Sequence, residues 1–300
     1  MMAETGKRKI WLGILAATGV YFIYGLNVVL CKDLLSATEL ISPSALFAVR
    51  VGGAALLFWL ASLFFPHEKL SPRDLALTLA ASLLCITVPQ YAMLWGITMA
   101  SPYDASIVAT LKPVFTMLIA FMLGREVFRW NLLAGVLLTF AGALVLVINF
   151  GGEPDAYATT PLGLMLLVVN GLSASFYFVL FKDFVARHSI VTLMKWMFLF
   201  AFLVALPLSA GELKQIDFGT FSRVMIAETA FLVLCATFLS YFLMPVGQRN
   251  LSPTHYCLFS YVQCVVAATV GIAMGFESFN LQKAVATLLL VAGVLVVRRS

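Results

Sequence analysis

The stretch IVATLKPVFTML, residues 107–118, sets Lys112 and Pro113 side by side in an otherwise apolar run. An ammonium at the centre of a membrane helix costs roughly 2.5–3.5 kcal/mol on insertion scales, so such groups face a cavity or a partner. Lys112 stands about ten residues into its run, which at 1.5 Å per residue places it roughly 13–15 Å from either interface, beyond easy snorkelling reach. Pro113 removes an N–H from the Ala109 carbonyl, which bends the helix and leaves an acceptor beside the charge. A charge and a bare carbonyl at this depth point to binding. Lys112 is expected to meet an anionic part of a substrate, such as a carboxylate, with Pro113 as a hinge. The sequence leaves a second reading open, in which Lys112 is paired structurally with a carboxylate or a helix C-terminus.

Two more charges fall inside apolar runs at similar depth, Arg50 and Glu228. Their opposite signs predict an ion pair, either a gate at the outer mouth or a static bridge. Lys195 lies nearer a run end, where it can reach lipid phosphates. Amides, hydroxyls and rings interleave in the same runs. Tyr24 and Asn27 share a helix face at i, i+3, as do Ser260 and Gln263. With Gln90, Tyr91, Asn170, Tyr177 and Tyr241 they form the expected lining of a substrate pocket, suited to a zwitterionic or amphipathic metabolite. Pro89 and Pro245 are further candidate hinges. His67, His188 and His255 all lie away from the midplane, and no metalloprotease motif, nucleotide loop or catalytic carboxylate pair occurs. No enzyme activity, cofactor or metal is expected. Five cysteines without metal-ligand spacing read as packing thiols.

The elements that must position these residues follow from composition. The chain has 300 residues, 62% hydrophobic and 11% charged, with mean hydropathy +1.01, well beyond a soluble domain. A run of about 20 apolar residues crosses a bilayer as a helix, and ten are expected: 10–31, 43–65, 74–98, 103–123, 130–150, 161–181, 190–210, 222–246, 254–276 and 280–297. The runs are continuous rather than alternating, which excludes strands. The fold class is an all-α membrane protein. A net charge of +5 without a basic cluster interleaved with aromatics gives no support for nucleic acid. The basic residues between spans instead divide 12 to 4 in favour of the side holding Lys7, Arg8, Lys9, Arg298 and Arg299, which predicts cytoplasmic termini. The expected partners are a small-molecule substrate and the lipid bilayer; the oligomeric state is left open, a monomer included.

The chain also contains itself twice. SPYDASIVATLKPVFTMLIAFMLGREVF from Ser101 lies without a gap on SPTHYCLFSYVQCVVAATVGIAMGFESF from Ser252, a shift of 151. Met93 and Gly96 then meet Met244 and Gly247, and Ala141-Gly142 meets Ala292-Gly293. Nearer the start the shift is 146 to 150, with Gly25-Leu26 echoed at Gly171-Leu172. Halves 1–150 and 151–300 of five spans each must enter the membrane from opposite faces. Such inverted repeats are the signature of secondary transporters, with a midplane site and alternating access.

The Ser-Pro start of the fourth and ninth spans, the proline inside the fourth, Gly-x-Glu after each, and the Ala-Gly pairs together resemble the drug/metabolite transporter superfamily, specifically its EamA-type members. The likeness covers nearly the whole chain. It implies ten helices in two EamA-like halves and a carrier of the plasma membrane, as in a bacterial inner membrane, exporting small metabolites such as amino acids or related compounds. One departure is Gln263-Cys264 where the first copy has Lys112-Pro113, which argues against a kink shared by both copies. The rival functions are a multidrug or cation efflux exchanger and a channel. Cations are disfavoured beside Lys112 and Arg50.

Overall fold

The structure, a computed structural model, describes residues 2–36, 40–66, 68–100, 108–109, 111–125, 130, 133–135, 137–138, 141, 160–216, 218–274, 285, 288–289 and 292. Several helices open on one device. The hydroxyls of Ser42, Ser71, Thr160 and Ser252 each accept the backbone N–H three residues on, and proline follows at the first helical position. There its missing N–H costs nothing. The resulting elements are α1 (Met2–Ser36), α2 (Pro43–Ala61), α3 (Pro72–Ser82), α4 (Val88–Met99), α5 (Lys112–Met122) and α6 (Pro161–Leu180). They continue with α7 (Lys182–Arg187), α8 (Ile190–Leu213), α9 (Arg223–Val233), α10 (Ser240–Asn250), α11 (Pro253–Leu258) and α12 (Ser260–Ala273).

Six described segments are long and apolar enough to cross a membrane: Lys7–Leu35, Pro43–Phe64, Pro72–Met99, Pro161–Leu180, Ile190–Leu213 and Arg223–Asn250. They cover the first, second, third, sixth, seventh and eighth expected spans. The expected spans at 130–150 and 280–297, and the start of the fourth, lie almost wholly outside the described residues.

The fourth and ninth spans differ from expectation in an informative way. Pro113 does not kink a continuous helix; α5 begins at Lys112, so the proline sits in a first turn, where it is tolerated. Just before it, Leu111 N–H bonds the Val108 carbonyl at 3.0 Å in a tight turn. The ninth span, expected to run unbroken over 254–276, is interrupted at Phe259 between α11 and α12. Here Val262 N–H bonds the Phe259 carbonyl at 2.9 Å. Positions 259 and 262 are 108 and 111 shifted by 151. Both copies therefore form the same turn bond, although the helix restarts three residues earlier in register in the second copy, at Ser260, and only the first carries the proline.

A second shared break lies in the third and eighth spans. α3 passes into α4 through a π-helical stretch, Leu83–Thr87, and α9 into α10 through another, Leu234–Leu239. Their first residues again differ by 151. A π turn inserts an extra residue and is frequent at functional sites.

The third span also breaks its own hydrogen-bond ladder. Pro89 has no N–H to give the Cys85 carbonyl four residues back, and hydrocarbon supplies no water in its place. Other spans make the repair. Tyr241 Oη donates to the Cys85 carbonyl at 3.3 Å, and Ser173 Oγ to the Leu84 carbonyl at 2.9 Å. The carbonyl of Pro89 itself accepts from Asn170 Nδ2 at 2.7 Å. Spans six and eight are thereby held around span three.

Packing follows small residues and rings. α2 lies along α8, with Phe58 stacked on Phe198 at 5.3 Å between centroids. Lys195 on α8 does not extend to lipid phosphates: it is buried, with Nζ 5.1 Å from the centroid of the Trp59 ring, a cation–π contact created by the α2–α8 packing. α4 meets α6 at Gly163, where an added Cβ would lie 2.6 Å from the Met99 carbonyl oxygen. That oxygen is held in place by Thr160 N–H and Thr160 Oγ1.

Two predictions follow from this packing. Gly163→Ala should lower the thermal unfolding midpoint of the purified protein, by about 1–3 kcal/mol in stability. Gly211→Ala, where nothing lies within 4 Å of the new methyl, should leave it unchanged or raise it. Tyr241→Phe should cost about 1–3 kcal/mol by orphaning the Cys85 carbonyl, and less in a Pro89→Ala background that restores the missing N–H. Equal costs in the two backgrounds would reject the repair.

Candidate substrate cavity

The repaired third span forms one wall of a cavity with about 610 Å³ of space unfilled by atoms, its mouth included. Tyr21, Tyr24, Asn27 and Arg50 enter it from α1 and α2, and Cys85, Pro89, Gln90 and Met93 from the third span. Lys112 comes from α5, and Asn170, Ala174, Tyr177 and Phe178 from α6. Tyr241, Met244 and Gln263 complete the lining.

The wall is built from repeat-related pairs. Gln90 and Tyr241, Met93 and Met244, and Lys112 and Gln263 each stand 151 apart, and Tyr24 and Asn170 stand 146 apart. Gln90 and Tyr241 touch directly, Nε2 donating to Oη at 2.9 Å. Tyr241 Oη thus accepts from Gln90 while donating to Cys85. Each pair has the same place in its own copy, and all but the two methionines differ in chemistry.

Lys112 is set at the broken start of α5. Its carbonyl accepts from Thr116 Oγ1 at 2.8 Å and Ser175 Oγ at 3.3 Å, which anchors the first turn. Its ammonium makes no hydrogen bond or ion pair with any described residue. Gln90 Oε1 and Gln263 Oε1 are buried and likewise lack a partner among the described residues. The cavity wall therefore presents two cationic side chains, Lys112 and Arg50, and two free acceptors amid rings. Of its described lining residues, none is acidic.

A neighbouring pocket of about 520 Å³ shares Met93, Lys112, Asn170 and Gln263 with the first. It continues past Ile97 and Leu167, towards the end of the bundle where Met99 meets Thr160. The opposite end is shut. Tyr256 packs against Tyr21 at 5.5 Å and Phe178 at 4.9 Å, all three rings buried. Beyond them His188 Nδ1 pairs with Glu68 at 2.7 Å, and Glu68 also accepts the Ser189 N–H. Arg249 donates to the carbonyls of Val185 and His188.

Some sequence expectations fall elsewhere. Arg50 and Glu228 do not form an ion pair. Arg50 Nε donates to Thr237 Oγ1 at 3.1 Å and Nη1 to Cys31 Sγ at 3.4 Å, while Glu228 faces the Asp33 carboxyl. Counting residues from a span end gives depth but not azimuth, and it is Thr237, nine residues further along, that meets Arg50. Tyr91 lies outside the wall, with Oη 3.5 Å from Ser44 Oγ and its ring against Phe47. Ser260 is buried but does not line the cavity. Pro245 is buried within α10, away from the wall. Cys85, Met93, Ala174, Phe178 and Met244 line the wall without having been singled out as binding residues. The Met93–Met244 repeat match was the signal that marked two of them.

The EamA-like transporter family matches this chain twice, over residues 11–148 and 161–299. Among similar proteins, the uncharacterized transporter YetK of Bacillus subtilis (strain 168) is 20% identical over 274 residues, covering 91% of this chain and 83% of its own. An uncharacterized transporter of Archaeoglobus fulgidus is 22% identical over 205 residues, covering 68% and 70%. A protein known from a crystal structure superposes with a TM-score of 0.73 at 19% identity, over 94% of this chain and 98% of that one, a likeness of fold. With apolar helices long enough to span a bilayer and a family match over both halves, the chain belongs to the EamA-like transporter family and is an integral membrane transporter.

Proposed function

We propose that this transporter is a secondary carrier of the plasma membrane that exports small anionic or zwitterionic metabolites by alternating access, with the cavity at Lys112 as the substrate site. The observation that carries this reading is the Lys112 ammonium in a cavity wall with no acidic residue among its described lining. A lipophilic cation would meet repulsion there that a low dielectric strengthens, which disfavours a cation exchanger. Gln90, Gln263, Asn170 and the tyrosines supply the placed polar groups that orient a small ligand in an otherwise apolar pocket.

The positive-inside rule assigns the end bearing Lys69, Arg125, Lys182 and Arg249 to the cytoplasm. On that assignment this conformation is closed to the cytoplasm by the Tyr21–Phe178–Tyr256 rings and the Glu68–His188–Arg249 contacts, and its cavity extends towards the outer side. The inverted five-plus-five organisation supplies the opposite state by exchanging the conformations of the halves. The shared breaks at 108–111 and 259–262, and the paired π segments, provide matching bending points in each half.

Counterflow across proteoliposomes holding the full chain, with a panel of amino acids and organic acids, tests the proposal. Lys112→Gln should raise the apparent KM for the transported compound by about 10- to 100-fold, the equivalent of one charge-assisted hydrogen bond of 1.5–3 kcal/mol. Lys112→Arg should recover part of the loss. Unchanged kinetics in Lys112→Gln would remove Lys112 from the site, and linear, non-saturable flux would replace the carrier by a channel.

A further inference from the structure

We propose that Arg50 is a second anion subsite in the same cavity, so that the preferred substrate is a small dicarboxylate whose two charges are met separately by Lys112 and Arg50. This rests on the carrier reading above and narrows it to a substrate class.

Arg50 is only 2% exposed, yet it lines the cavity together with Tyr24, Gln90 and Tyr241. A guanidinium does not deprotonate in proteins, so burial cannot neutralise it as it can a lysine. Two of its five N–H donors are occupied, and both acceptors are neutral: the Thr237 hydroxyl and the Cys31 thiol, the latter a weak acceptor. No described carboxylate lies within ion-pairing distance of it. Glu228, the acid expected to balance it, faces Asp33 and does not line the cavity. Thr237 in turn donates to the Leu232 carbonyl, so its hydroxyl is oriented with a lone pair towards Arg50. The eighth span, through Thr237 in its π stretch, thus fixes the guanidinium without cancelling its charge.

The cavity therefore holds two uncompensated cations, on α2 and α5, and no described acid. Like charges sharing a low-dielectric site destabilise one another until an anion enters. A monoanion compensates one and leaves the other, whereas two carboxylates on one short chain compensate both. Because the cations stand on different helices rather than at one point, a dicarboxylate suits them better than a single phosphate group. A planar fork at Arg50 also matches a carboxylate in bidentate geometry.

The test is counterflow in proteoliposomes of the full chain with α,ω-dicarboxylates of three to six carbons, the monocarboxylates of equal length, glycerol phosphate and neutral amino acids. The expected result is a dicarboxylate transported with at least about tenfold higher kcat/KM than its monocarboxylate, the two-charge requirement being the readout. Arg50→Gln should reduce that ratio to within about twofold, and Arg50→Lys should keep part of it. Thermal unfolding of each variant checks that it folds. If Arg50→Gln does not fold, the dicarboxylate-to-monocarboxylate ratio of the wild-type and Arg50→Lys proteins decides the matter. Preference for glycerol phosphate, for a monocarboxylate or for an amino acid, or an Arg50→Gln protein with an unchanged ratio, overturns the second subsite. Lys112-dependent transport of such a compound leaves the carrier reading standing. Failure of every compound to exchange in folded protein overturns both.

Discussion

A backbone carbonyl in hydrocarbon has no water to fall back on, and the architecture around the cavity follows from that constraint. Pro89 takes a donor away from Cys85 in the third span, and the π stretch before it shifts the ladder by a residue. Each exposed carbonyl is then met by a side chain from another span: Tyr241, Ser173 or Asn170. The polar groups that would be costly in lipid are the ones that tie spans three, six and eight together. A cavity can exist at this depth because the backbone around it is satisfied from across the bundle rather than from within each helix.

The same constraint explains why the duplicated halves resemble each other most in backbone and least in chemistry. Both copies carry a π stretch beginning at positions 83 and 234, and both interrupt the next helix at 108–111 and 259–262. The side chains aimed into the cavity from these places have diverged to Gln90 against Tyr241 and Lys112 against Gln263. Conformational change shared by two repeated halves requires matching bends, whereas recognition of an unsymmetrical ligand requires unmatched contacts. The duplicated frame accommodates both, because a helix break is a property of the backbone and a binding group is a property of one side chain.

Much of this was legible in the chain. Hydropathy gives the spans because apolar length is a physical requirement for crossing a bilayer, and the gapless 151-residue echo exposes the duplication. Lys112, Gln263, Asn170 and Tyr24 stood out because a polar group in an apolar run is costly and hence conspicuous. What lay beyond reach was azimuth. The depths of Arg50 and Glu228 were readable, but not that Thr237 would turn towards Arg50 in place of the acid. The break at Phe259 was hidden because no proline announces it. The π stretches leave no mark in a 3.6-residue pattern. Cavity residues such as Cys85 and Phe178 are apolar and look like any other lining of a span.

The strength of the closed end bears on whether such a molecule can alternate at all. On the side shut by His188, Glu68 and Arg249, the closure consists of a few hydrogen bonds and one His–Glu pair over a small cluster of rings. These hydrogen bonds all involve a charged group, Glu68 or Arg249, and such bonds net about 1.5–3 kcal/mol each, while partly exposed ion pairs contribute about 0–1 kcal/mol. Opening this end therefore gives up several kcal/mol in polar contacts. The α4–α6 contact at Gly163 lies at the other end of the bundle from that closure. A ligand shifts a two-state equilibrium only by its difference in affinity for the two states, so bound substrate has to supply an offset of that order. A polar closure at the end, set on a backbone repair at the centre, is the arrangement that the proposed alternation requires.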